Sequence, residues 1–226
     1  MNAGNEARRR DAILRAEAYR ILAVLFGETD VEVLAEEVAN AASGPLAEFF
    51  SPIAGTLEED IAYEHTRLFA QGVAVSPCET SYGRMDKGSQ LGQLSALYGL
   101  FGAKSGGMES EAPDHLCVEL EFASLLCVKE ALALENGDDE NAGIAHRAQE
   151  VLLCEHLGAF APRFVARLVG STDLPYYQAI AETLARWLTR DMGQNGWQPE
   201  RWAAQLPMVD AEEFDRPVCP MGTTEA

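Results

Sequence analysis

The chain has 226 residues, 47% of them hydrophobic, with 17 lysines and arginines against 36 aspartates and glutamates and a formal net charge of −19. This length and apolar fraction suffice for a substantial core and exclude a disordered chain. The acidic excess argues against nucleic acid and anionic lipid as partners, since both repel such a surface, and favours a basic partner.

At the N-terminus, Arg8, Arg9 and Arg10 precede DAILRAEAYRILAVLF. Arg15, Glu17 and Arg20 interrupt that run, so it lacks the uncharged apolar core of an export signal and a cytoplasmic protein is expected. No later run reaches the roughly 20 uncharged apolar residues of a bilayer span, so no stable membrane insertion is expected. Residues 6 to 26 place Leu14, Ala18, Ile21, Leu22 and Leu25 on one helical stripe, and a second helix over 30 to 42 ends at Ser43-Gly44-Pro45. A third is predicted over 57 to 70, carrying Tyr63, Glu64, Leu68 and Phe69. The following stretch, QGVAVSPCETSYGRMDKGS, breaks all helical periodicity, and a loop of that length in a compact protein is usually functional or mobile.

Helix four is predicted over 89 to 101, with Leu91, Leu94, Leu97, Tyr98 and Phe101, followed by the glycine-bearing connector AKSGGMESEA. The long central helix then reads from Pro113, suited to its first turn, to Asn136-Gly137 at its end. Apolar side chains cover most of its circumference, which places it inside the protein, where polar groups near its entrance need partners or a ligand. His115 and Glu119 are four residues apart and share a face with Phe122. Further helices are predicted over 141 to 160, 162 to 169 and 175 to 192, with a helical turn around Glu200 to Ala204. Strand signals are weak and no repeat of 20 to 50 residues occurs. The expected fold is all-α, a single-domain bundle of about eight helices over residues 1–193 with antiparallel neighbours. Residues 194–226 form an acidic, proline-containing, loosely packed C-terminal tail.

Chemical signatures are sparse. The five cysteines, Cys78, Cys117, Cys127, Cys154 and Cys219, are an odd set, and three lie in apolar helical runs where a thiol acts as a small hydrophobe, which points to a reducing compartment. His115-x-Cys117 and Cys154-x-His156 offer metal-ligand types, but residues two apart on a helix point about 200° from each other, so one ion cannot gather both members of either pair. There is no Glu-x-x-His, no G-x-S-x-G elbow, and neither a phosphate-binding P-loop nor a dinucleotide fingerprint. No catalytic residue, metal or cofactor is therefore expected. Asp114 alone reads as a charge favoured by the helix dipole, and His115 as a capping or surface histidine.

Tyr63, Leu68, Phe69 and Gly72, then Pro77, Ser81 and Tyr82, then Pro113-Asp114-His115-Leu116 and Glu119-Leu120-Glu121-Phe122 form an ordered series. It resembles the TorD/DmsD/NarJ group of redox-enzyme maturation chaperones in both order and separation. A looser likeness through Glu155-His156-Leu157, Pro162, Phe164 and Tyr176-Tyr177 extends it over residues 10 to 190. Val73 departs from the proline common after the glycine, and Cys78 from an aromatic. The resemblance implies an all-helical chaperone that binds the twin-arginine signal peptide, or the body, of a molybdenum-cofactor oxidoreductase catalytic subunit before cofactor insertion and export. It also implies a monomer or a helix-exchanged dimer. A peptide with two guanidinium groups and an apolar stretch needs carboxylates beside an apolar groove. The candidate peptide-binding residues are Glu79, Ser81, Tyr82, Tyr98, Asp114, His115, Leu116, Glu119 and Phe122, and the loop at Pro77 to Tyr82 is expected to lie beside the helix start at Pro113. The alternative is a small helical enzyme or redox protein using His115 with Glu119, or Cys78, in a pocket.

Overall fold

A computed structural model describes residues 3–70, 73–83, 86–103 and 112–199. Its α-helices are α1 (Ala3–Gly27), α2 (Val31–Ala42), α3 (Ala47–Phe50), α4 (Ile61–His65), α5 (Lys87–Leu100), α6 (Leu116–Glu135), α7 (Asp139–Val151), α8 (Leu157–Ser171) and α9 (Pro175–Asn195). Among the described residues there is no strand, only one isolated antiparallel bridge between Cys78 and His115. The all-α expectation holds.

The helix starts follow from side-chain caps. Asp30 accepts hydrogen bonds from the amides of Glu32 and Val33, Asp86 from that of Ser89, and Asp138 from that of Asn141, each satisfying donors that the first turn leaves unpaired. α6 forms the axis, with Leu116, Leu120, Phe122, Leu126, Ala131 and Leu134 buried around its circumference. α1 runs antiparallel along it. Ser124 Oγ donates to the Ala16 carbonyl at 2.8 Å, and Arg8 and Arg9 pair with Glu130 and Glu135. On its other side, Gln149 of α7 donates to Glu130 at 3.0 Å.

A charged network lies within this bundle. Arg15 of α1 donates to Asp191 of α9 through Nε at 2.5 Å and Nη2 at 3.1 Å, and the Tyr19 hydroxyl donates to the same carboxylate. Burial and the Asp191 charge hold the Tyr19 phenol well above its ordinary range. Trp197, buried after the α9 C-terminus, stacks on the Arg15 guanidinium at 5.2 Å.

Several predicted boundaries are corrected. The expected helix over 57 to 70 is a short α4 followed by a π-turn at Thr66–Ala70. The expected break between 160 and 162 falls earlier, at a π-turn over Leu152–His156, and Pro162 lies inside α8 at its sixth residue, where it removes one intrahelical donor without ending the helix. His156 leaves helical geometry at φ −123°, ψ −98°. Pro113 lies outside the central helix, which begins at Leu116 behind His115 as N-cap. α3 and the 3₁₀ turn Ser51–Ile53 have no counterpart in the predicted elements. α9 continues to Asn195, and the predicted turn at Glu200 to Ala204 and Cys219 lie outside the described residues. Among those described, no helix is long and apolar enough to cross a membrane.

Candidate functional site

The loop 73–83 and the entrance to α6 are joined by backbone pairing. The Glu79 amide donates to the Asp114 carbonyl at 2.8 Å, and the Leu116 amide donates to the Pro77 carbonyl at 2.8 Å. Pro77 to Tyr82 therefore lies beside Pro113, as expected. Asp114 turns its carboxylate toward the loop, where Oδ2 accepts from the Thr80 amide at 3.1 Å and the Thr80 hydroxyl at 2.6 Å. With Asp114 so engaged, His115 caps the helix, its Nδ1 accepting from the Cys117 amide at 3.2 Å. The Tyr98 hydroxyl donates to the Pro113 carbonyl at 2.7 Å and its ring packs 4.4 Å from that of Phe122.

The rest of the loop is tied to α8. Tyr82 donates to the Ser76 carbonyl at 2.6 Å and packs on Phe160 and Phe164, while Arg163 donates to the Tyr82 carbonyl at 2.7 Å and Arg167 to that of Ala74 at 3.0 Å. Ser81 and Ser76 hydroxyls lie 2.6 Å apart. Val73 sits at φ 37°, in the left-handed region that costs a β-branched residue on the order of 1–3 kcal/mol. A proline ring fixes φ near −65° and is incompatible with that backbone geometry at position 73.

Beneath the loop, three carboxyl groups converge. Asp114 is 1% exposed, Glu79 2% and Glu119 0%. Glu79 has His156 as partner, with Nδ1 at 3.1 Å from Oε2. Among the described residues, neither oxygen of Glu119 has a hydrogen-bond partner, and Asp114 Oδ1 and Gln90 Oε1 have none. Burial first, and then the charges of Glu79 and Asp114, raise the Glu119 carboxyl far above the ordinary carboxylate range. The same three carboxyls add to burial in holding the Tyr98 phenol in its neutral form.

Beside this cluster opens an apolar cleft of about 520 Å³. Its walls are the C-terminus of α1 (Phe26, Gly27), the first π-turn (Phe69, Ala70), the loop (Val73, Pro77, Cys78), the start of α6 (His115, Leu116, Cys117) and Phe164 of α8. Of the predicted peptide-binding residues, His115 and Leu116 line it directly. Glu79, Asp114 and Glu119 lie buried behind its α6 wall with Tyr98 and Phe122, and Ser81 and Tyr82 lie on the loop. Among the motif residues, Leu68 is buried and Phe69 and Pro77 line the cleft, Pro113 accepts from Tyr98, Tyr63 is 73% exposed away from the cleft, and Gly72 lies outside the described residues.

Residues 32–166 match the family described as nitrate reductase delta subunit. The chain belongs to the nitrate reductase delta subunit family. This is the group at which the TorD/DmsD/NarJ resemblance pointed. The chain is 30% identical over 190 residues to the chlorate reductase assembly chaperone protein of Ideonella dechloratans, covering 82% of this chain and 92% of that protein. It is 40% identical over 88 residues to the selenate reductase assembly chaperone protein of Thauera selenatis, covering 39% of this chain and 44% of that one.

His115 Nδ1 accepts the Cys117 amide, and among the described residues neither carboxyl oxygen of Glu119 is hydrogen-bonded, so the two do not form a base with its orienting group. Among the described residues no group of three or more His, Cys, Asp or Glu side chains is arranged to hold a metal ion. Sequence reasoning missed Phe26, Gly27, Ala70 and Phe164, which come from three separate helical segments and carry no polar signature.

Proposed function

We propose that this chain is a cytoplasmic assembly chaperone for the catalytic subunit of a molybdenum-cofactor oxidoreductase. It binds that subunit's twin-arginine signal peptide before cofactor insertion and export. The carrying observation is the 520 Å³ apolar cleft at the junction of loop 73–83 with α6, since recognition sites of this size are concave, mostly apolar and marked by few polar groups. Family membership and the named roles of the chlorate and selenate reductase relatives support the client class. The peptide's apolar stretch occupies the cleft. Its guanidinium groups meet the −19 surface, favoured at the rim by the carbonyl end of α1 at Gly27 and the adjoining Glu28. Asp114, Glu119 and Glu79 act from behind the wall, holding the loop rather than meeting solvent.

The test is calorimetric titration of the folded chain with a synthetic twin-arginine peptide, alongside co-purification with a tagged reductase catalytic subunit. Saturable binding that weakens when the two arginines become glutamines is expected. Binding of the subunit with the peptide deleted, and none of the peptide alone, would move the contact to the enzyme body.

A further inference from the structure

Among the described residues, four acceptor atoms of the carboxyl cluster have no donor: Glu119 Oε1 and Oε2, Asp114 Oδ1 and Gln90 Oε1. Buried acceptors are ordinarily satisfied, because leaving one without a donor forfeits its hydration with nothing in return. The groups facing the cluster come from every element packed around it. They are Glu79 from the 3₁₀ turn of the loop, Asp114 and His115 from the α6 entrance, Gln90 and Tyr98 from α5, His156 from the second π-turn and Arg163 from α8. Among the described residues, the His156 ring lies against Glu79, and Arg163 donates to the Tyr82 carbonyl and reaches a hole of about 10 Å³ shared with Glu79 and Gln90. Neither bonds Glu119. Its negative charge would therefore sit fully buried beside two others.

A bound cation would offset this charge, and the arrangement selects which one. Among the described residues, no group of three or more His, Cys, Asp or Glu side chains is arranged to hold a metal ion. A proton needs a single oxygen, and a buried carboxylic acid supplies the donor that Asp114 Oδ1 or Gln90 Oε1 lacks, directly or through one water.

We propose that Glu119 is a proton-binding site that latches loop 73–83 onto the entrance of α6, so that release of its proton loosens the loop that forms one wall of the cleft. On release the Glu119 O–H bond breaks, the proton passes to solvent water and a carboxylate remains. That carboxylate repels Glu79, carried by the loop, and Asp114, which holds Thr80. The strain is relieved most cheaply by parting the contacts between the two segments: Glu79 N to Asp114 O, Leu116 N to Pro77 O and Thr80 to Asp114. The inference builds on the cleft as the binding site only for its effect on ligands; the latch is a property of the free chain.

The test is hydrogen exchange of the full chain without peptide, with rates corrected for the intrinsic pH dependence of exchange, between about pH 6 and about pH 9. Protection of the Glu79, Thr80 and Leu116 amides is expected to fall at least about tenfold in the wild type and to stay level in Glu119→Gln. A level wild type, or the same fall in the variant, overturns the latch. Should Glu119→Gln fail to fold, infrared spectroscopy of the wild type in deuterated buffer near pH 7 decides: a protonated carboxylic acid band supports the site, and its absence overturns it. A peptide that fails to bind leaves both readouts untouched, so this inference and the proposed function fail separately.

Discussion

Arg15 Nε stands 2.5 Å from Asp191 Oδ1, fastening the first long helix to the last across the interior of the bundle. Both side chains are almost wholly buried, so removing either leaves the other's buried charge without its nearest opposite charge. Arg15→Met is expected to destabilise the fold by about 3–5 kcal/mol, and adding Asp191→Leu to recover part of that loss, because a buried ion pair costs more to break than to replace with apolar groups. Chemical denaturation of both single variants and the double variant checks this. Strictly additive losses would refute coupling between the pair.

Gly158 is required by close approach. A Cβ there would overlap the Leu153 carbonyl oxygen and lie 2.9 Å from Met192 Sδ, whereas at Gly170 in the same helix nothing lies within 4 Å. Gly158→Ala is expected to cost about 1–3 kcal/mol through overpacking. Gly170→Ala should be neutral or stabilise by up to about 1 kcal/mol, since alanine restricts the unfolded chain. Urea midpoints compare the two.

Stability should depend on pH through Glu119. Its carboxyl is raised in the folded chain from an ordinary value of 4.5. Below that value folded and unfolded chains both hold the proton; as pH rises through it, only the unfolded chain releases one. Stability is thus lost with rising pH, by about 1.4 kcal/mol per unit until Glu119 itself ionises. The difference between Glu119→Gln and wild type should therefore shift in favour of the variant by at least about 1.4 kcal/mol between about pH 5 and about pH 7. Parallel stability curves would refute this.

Ala70 lies exposed on the cleft wall, so a long cation there disturbs no core packing. Ala70→Lys should leave the thermal midpoint nearly unchanged and weaken twin-arginine peptide binding at least about tenfold, or 1.4 kcal/mol, by placing a charge in the apolar groove and repelling guanidinium. Unaltered affinity would remove the cleft from the binding surface.

Much of the fold was legible because long amphipathic helices announce themselves: α1, α2 and α9 follow from periodicity, and the pairing of Pro77 to Tyr82 with Pro113 from the ordered motif series. The depth of Asp114 and Glu119 was not. An all-round apolar helix such as α6 gives no polar face from which to judge exposure, and the burial of Glu119 comes from the segments that pack around the helix entrance. Both π-turns were equally hidden, since a widened turn changes hydrogen-bond register without changing residue types. The cleft escaped for another reason: Gly27, Ala70 and Phe164 become neighbours only through packing.

Each π-turn spans five residues, Thr66–Ala70 and Leu152–His156, and each widens its helix by one hydrogen-bond step. The first delivers Phe69 and Ala70 to the cleft and the second delivers His156 to Glu79. Removing one residue from either stretch would restore α-helical register and rotate everything beyond it by about 100°. His156 would then swing away from Glu79, or Ala70 out of the groove wall. In these two places the site is set by how many residues the chain contains, and a deletion harms it more than many substitutions would.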